Sequence, residues 1–140
     1  MRLLIPFTLI LLSFNAIYQK ETIAGKYILK LESSNALIED TLILNDDGTF
    51  IFHEYDKHDN GIPPERNKYG KGKWKIDKST LYFFAEESDI DEKYTLNFNN
   101  SEARFITKSL RDKSDRIIPT SLQFYKSDIF WLVKRKLIKK

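Results

Sequence analysis

Leu42–Lys57, LILNDDGTFIFHEYDK, is two runs of alternating apolar residues joined at Asp46-Asp47-Gly48. Successive side chains of a strand point to opposite faces, so a run that alternates presents one apolar face. With Leu42 and Leu44 inward, a tight turn at Asp46 to Gly48 brings Phe50 and Phe52 to the same interior. Thr49, Ile51, His53 and Tyr55 then face outward. Glu54 and Asp56 continue the inward row beyond the last apolar residue, where the mouth of a barrel would open.

The same period-two pattern recurs from Gly25 onward, and no window of helical length shows a 3.6-residue period. It predicts strands at Gly25 to Glu32, Asp40 to Asn45, Thr49 to Lys57, Gly70 to Asp77, Thr80 to Glu86, Glu92 to Asn99, Glu102 to Lys108, Thr120 to Lys126 and Ile129 to Lys136. Short Asn, Asp, Gly and Ser turns separate most of them, which forces antiparallel neighbours. The longest gap, His58 to Tyr69, holds Gly61, Pro63 and Pro64 and reads as a loop. The phase turns Tyr27, Leu29 and Leu31, then Gly72, Trp74 and Ile76, then Tyr94, Leu96 and Phe98 inward, with Lys71, Lys73 and Lys75 outward. Many short strands manage their edges by closing, so the fold class expected is all-β: a small antiparallel up-and-down barrel of about eight to nine strands. Two runs, LYFFA at Leu81 to Ala85 and IFWLV at Ile129 to Val133, are apolar on both faces. They predict an outer patch at Tyr82, Phe84 and Trp131, either covered by another segment or offered to a partner.

A chain of 140 residues holds one ordinary domain. Hydrophobic residues at 41% supply its core, and 31% charged residues supply a solvated exterior. The net charge of +3 is spread along the chain apart from the tail KRKLIKK, so no nucleic-acid footprint is expected. That tail blunts a strand edge and can meet an anionic surface. The absence of cysteine excludes disulfides, thiolate metal sites, thiol nucleophiles and a lipid-bearing cysteine.

At the start, Arg2 precedes an almost unbroken apolar run from Leu3 to Phe14, followed by small and polar residues. This is the pattern of a secretory signal peptide. As a helix the run would rise about 18 Å against a hydrocarbon core of about 30 Å, so cleavage is favoured over a spanning anchor. Residues 1–24 are read as the signal segment, cut between 16 and 24, and 25–140 as the mature domain. The product is exported, periplasmic or secreted, and is not an integral membrane protein once cut.

GKYILK at Gly25 to Lys30, TLILNDDGTFIF at Thr41 to Phe52 and YGKGKWKIDKSTLYF at Tyr69 to Phe83 resemble the pattern of small lipocalin-like envelope domains. The N-terminal domain of the bacterial envelope-stress and copper-resistance lipoprotein is one of these. The resemblance implies a lipocalin-like barrel, an envelope location and an apolar cavity as the default ligand site. The family's lipidated cysteine and C-x-x-C pair are missing, so neither lipid anchoring nor copper handling through thiolates carries over.

His53, Glu54, Asp56, His58 and Asp59 are the densest group of potential ligands, but His53 and Glu54 point to opposite faces. No metal or other cofactor is expected. Glu54 with Asp56 has the spacing of any i, i+2 pair on a strand, about 7 Å, and reads as a solvated rim rather than an acid-base pair. No nucleophile elbow or phosphate-cradling loop is present, so no catalytic residue and no enzyme is expected. The leading expectation is a small apolar ligand or lipid bound in the barrel by Phe50, Phe52, Trp74, Phe83 and Phe98, with Glu54 and Asp56 near the entrance. The alternative is a filled barrel acting as an envelope interaction module, a stress sensor, inhibitor or immunity protein, with Tyr82, Phe84 and Trp131 as the partner surface.

Overall fold

A computed structural model describes residues 23–140. The expected signal segment and its cleavage window, but for Ile23 and Ala24, lie outside the described residues. Strands β1 (Gly25–Glu32), β2 (Ala36–Leu44), β3 (Thr49–His58), β4 (Glu65–Asp77), β5 (Thr80–Phe84), β6 (Glu102–Ile106), β7 (Ser121–Lys126) and β8 (Lys136–Lys139) pair in sequence order and close into one antiparallel barrel. Closure is made where Tyr27 and Ile28 of β1 meet Lys139 and Ile138 of β8. Among the described residues no helix is long and apolar enough to cross a membrane.

The β2–β3 hairpin sets the register of the whole. Asp47 Oδ1 accepts from the Thr49 amide at 2.9 Å and from its hydroxyl at 2.6 Å, and Gly48 takes φ of 89°, a conformation glycine adopts without a side-chain clash. Leu44 therefore faces Phe50, Leu42 faces Phe52 and Asp40 faces Glu54. The inward phase is as the alternation dictates: Leu42, Leu44, Phe50, Phe52, Tyr27, Trp74, Leu81 and Phe83 are buried together. Leu31 departs from it, at 47% exposed, because β1 there has run past the rim of the barrel.

Three expected boundaries are corrected. First, β2, β3 and β4 run further than their apolar residues, and the β3–β4 loop is only residues 59–64. The added pairs, Asp56 opposite Arg66 and Lys57 opposite Glu65, are charge-complementary and need no core face. Second, Glu92 to Asn99 is not a strand of the barrel. β5 already pairs with β6 through Thr80–Arg104, Leu81–Ala103 and Tyr82–Glu102, which leaves no open edge between them. The segment instead lies beside the half of β4 that the shorter β5 leaves uncovered, joined by a parallel bridge from Leu96 to Gly70. Third, Ile129 to Lys136 is not a strand either. Residues Phe130–Leu132 form a 3-10 turn that folds over the barrel end, and β8 starts only at Lys136. Ile129, Trp131 and Leu132 pack on the core from this turn, while Phe130 is 85% exposed.

Both ends are thereby filled. At the end where β1 begins, Ile23 is buried and its carbonyl accepts the Tyr27 hydroxyl at 2.5 Å. Burial raises the Tyr27 pKa, so this donor keeps its proton. At the other end, Leu132 is buried and Trp131 packs on Phe52 with centroids 6.2 Å apart.

Candidate functional site

The barrel interior is a cluster of rings. Phe50 meets Phe83 and Phe98 with centroids at 5.1 Å, Phe52 meets Phe98 at 5.1 Å, and Phe83 meets Phe124 at 5.3 Å. Most of these contacts are edge-on or tilted, the arrangement that ring quadrupoles favour. Phe98 reaches the centre from the irregular segment beside β4, over Gly70, whose missing side chain makes the room. A Cβ at Gly70 would lie 2.6 Å from the Phe98 ring. Trp74 is buried toward the other end, where its indole N–H donates to the Asn45 carbonyl at 3.0 Å. The expected cavity residues Phe50, Phe52, Trp74, Phe83 and Phe98 thus belong to one packed cluster.

Charge collects above that cluster, at the mouth where β2 begins and β3 ends. Asp40 and Glu54, cross-strand partners, both point inward and are buried. Arg135, from the β7–β8 connection, inserts one guanidinium nitrogen between them, 2.7 Å from Asp40 Oδ2 and in contact with Glu54 Oε2. Lys68 of β4 adds a cation 3.9 Å from Glu54 Oε1. The Trp131 ring separates these charges from the aromatic core, with Arg135 4.6 Å and Lys68 5.1 Å from its centroid. Trp131 is therefore not on the outer face with Tyr82 and Phe84, because its run turns over the barrel end instead of forming a strand.

Burial pushes the Asp40 carboxyl up to about 7; Arg135 opposes this and Glu54 adds to it. Asp40 Oδ1 has no hydrogen-bond partner among the described residues. Asp56, the next inward carboxylate, is only half-buried. It borders a cleft of about 230 Å³ with His58, Gly61, Pro63, Pro64 and Arg66. Glu54 and Asp56 are thus both at the mouth, but Glu54 is tied to Arg135 while Asp56 belongs to the cleft. Asp40 was within reach of sequence reasoning, since it shares the phase of Leu42 and Leu44. Arg135 was not, because nothing in a linear pattern joins it to carboxylates on β2 and β3.

The histidines go elsewhere. His53 faces outward, stacks on Tyr69 at 4.5 Å and bonds Asn67 at 2.8 Å, while His58 is exposed at the end of β3. Among the described residues no three His, Asp or Glu side chains converge as ion ligands would.

Tyr82 and Phe84 lie on the outer face of β5, where Phe84 is 49% exposed. They line a groove of about 390 Å³ with Lys75, Ile76 and Asp77. Tyr82 is opposite Glu102 of β6, whose carboxylate accepts the Tyr125 hydroxyl at 3.3 Å and pairs with Lys126 at 3.2 Å. Arg104 lies 5.6 Å from the Tyr125 ring, so the outer aromatics are interleaved with cations. No family model, no curated protein and no solved structure matches the chain.

Proposed function

We propose that this chain is an exported, non-enzymatic interaction module of the cell envelope, whose filled barrel is a rigid frame for a partner-binding flank on β4 to β7. The observation that carries this reading is the pairing of an occupied interior with an exposed outer ring: Phe98 and its neighbours take the space an apolar ligand would need, while Phe84 stands 49% exposed beside its groove. Exposed aromatic side chains in a partly apolar groove are the usual anchors of protein interfaces. The alternative of a lipid or small apolar ligand in the barrel requires several of these rings to leave their packing.

A photo-crosslinking residue in place of Phe84, introduced in the native cell, should give a discrete protein adduct, and one in place of Lys30 on the far flank should not. Phe84→Ser should remove the partner while changing stability by no more than about 0.5 kcal/mol in urea unfolding. A loss of several kcal/mol, or identical adducts from both positions, would overturn the assignment. Native mass spectrometry of the purified protein addresses the alternative directly: bound mass lost on denaturation would restore the ligand reading.

A further inference from the structure

The barrel end where β1 begins carries the β6–β7 connection, residues 107–120, because Ile106 and Ser121 are partners across those strands. Its sequence, TKSLRDKSDRIIPT, has Lys108, Arg111, Lys113 and Arg116 against Asp112 and Asp115. Contacts within the connection give it shape. The Lys108 ammonium donates to the Ser114 carbonyl at 2.6 Å. Asp112 accepts from the Ser114 amide at 2.9 Å, from its hydroxyl at 2.5 Å and from Arg116 at 2.6 Å. One of the two acids is thus neutralised locally. What remains outside is mainly apolar and basic: Leu110 is 96% exposed and Ile117 93% exposed, with Arg111 and Lys113 also in solvent beside one exposed acid, Asp115.

Two further features meet at this end. The lysine-rich last strand finishes here, with the Lys139 amide donating to the Thr120 carbonyl at 2.8 Å and the Lys140 amide to the Lys26 carbonyl at 2.8 Å. The chain also joins the barrel here, through buried Ile23. Residues 15–22, which lie between Ile23 and the apolar run Leu3 to Phe14, can span at most about 30 Å. The apolar run is therefore tethered to the same end as the exposed aliphatic tips.

We propose that this end of the barrel docks on an anionic lipid surface, Leu110 and Ile117 dipping into the headgroup boundary and Arg111, Lys113 and Lys140 lying against the phosphates. Aliphatic tips contribute by leaving water, and each cation by its attraction to the charged surface; neither contribution alone holds a protein there. While the N-terminal run is uncut it keeps this end at the bilayer, and once it is cut the tips and cations form a reversible contact. The docking is independent of the partner flank, which lies on the side of the barrel.

The test uses residues 23–140, which contain every described strand and the packing of both barrel ends, so that the N-terminal run cannot itself bind lipid. The protein should sediment with vesicles of phosphatidylcholine and phosphatidylglycerol, and roughly tenfold less with phosphatidylcholine alone or in high salt. Leu110→Ser with Ile117→Ser, and separately Arg111→Gln with Lys113→Gln, should each weaken sedimentation by about tenfold or more. Both pairs should keep the wild-type unfolding midpoint. Lys30→Gln with Lys57→Gln, on the far flank and away from this end, should leave sedimentation unchanged. Wild-type protein that stays in solution with both vesicle types or binds both equally, tip variants that sediment like wild type, or a loss confined to the flank pair would each overturn the proposal.

Discussion

Arg135 shows how much a single side chain can carry in a small barrel. It bridges two carboxyl groups that the β2–β3 register places face to face, and its partners lie 81 and 95 residues away in the chain. Removing it would leave buried Asp40 with no cation of its own and Glu54 with only Lys68 at 3.9 Å, so Arg135→Met should cost about 3 kcal/mol in urea unfolding. Asp40 adds a dependence on pH. Its carboxyl titrates near 3.8 when the chain is unfolded and at about 7 in the barrel, so between those values the folded protein holds a proton that the unfolded chain releases. The stability from this group is full below about pH 4 and is lost as the pH rises through about 7. The unfolding midpoint should therefore be higher near pH 5 than near pH 8, and Asp40→Asn should flatten that difference.

Among the elements, β4 makes the strictest demands. Its inward positions alternate Gly70, Gly72 and Trp74, and the two glycines hold places that rings and backbone from elsewhere occupy. A Cβ at Gly72 would lie 2.1 Å from the Phe84 carbonyl oxygen, which belongs to the facing strand and cannot swing aside. Gly72→Ala should accordingly cost about 3 kcal/mol or more, read from thermal or urea unfolding, or prevent folding. The elements also show what a linear pattern reveals. Leu42, Leu44, Phe50 and Phe52 alternate about a glycine turn, so their strands, register and inward face were legible. Tyr94, Leu96 and Phe98 alternate equally well yet form no barrel strand, because alternation reports one buried face and extended backbone, not the presence of a free edge to pair with. Ile129 to Val133 misled for a related reason: a turn that caps a core is apolar on several sides, as a buried strand is. The mouth was half legible, since phase brought Glu54 and Asp56 there while the arginine that answers Glu54 comes from a distant connection.

At the scale of the molecule, closure divides the surface into parts with separate chemistry. Every described strand has a neighbour on each side, which shortens the edges left open to the far half of β4 and the end of β1, so recognition falls mainly to side chains on the flank and at the ends. The interior supplies stiffness, through rings that touch one another across β3, β5, β7 and the irregular segment beside β4. Closure also has a consequence for connectivity. Because β8 lies beside β1 and the Lys140 amide reaches the Lys26 carbonyl, the strand order is a ring, and the place where the chain is cut is one choice among several. A circular permutant, with Lys140 linked to Ile23 by a short flexible spacer and new termini in the exposed turn at Ser33 to Asn35, retains every strand pairing. It should refold to the same circular-dichroism spectrum with a midpoint close to that of the parent. Failure to fold would mean that the β1–β2 hairpin must form early, and that the order of assembly, beyond the final contacts, is written into where this ring is opened.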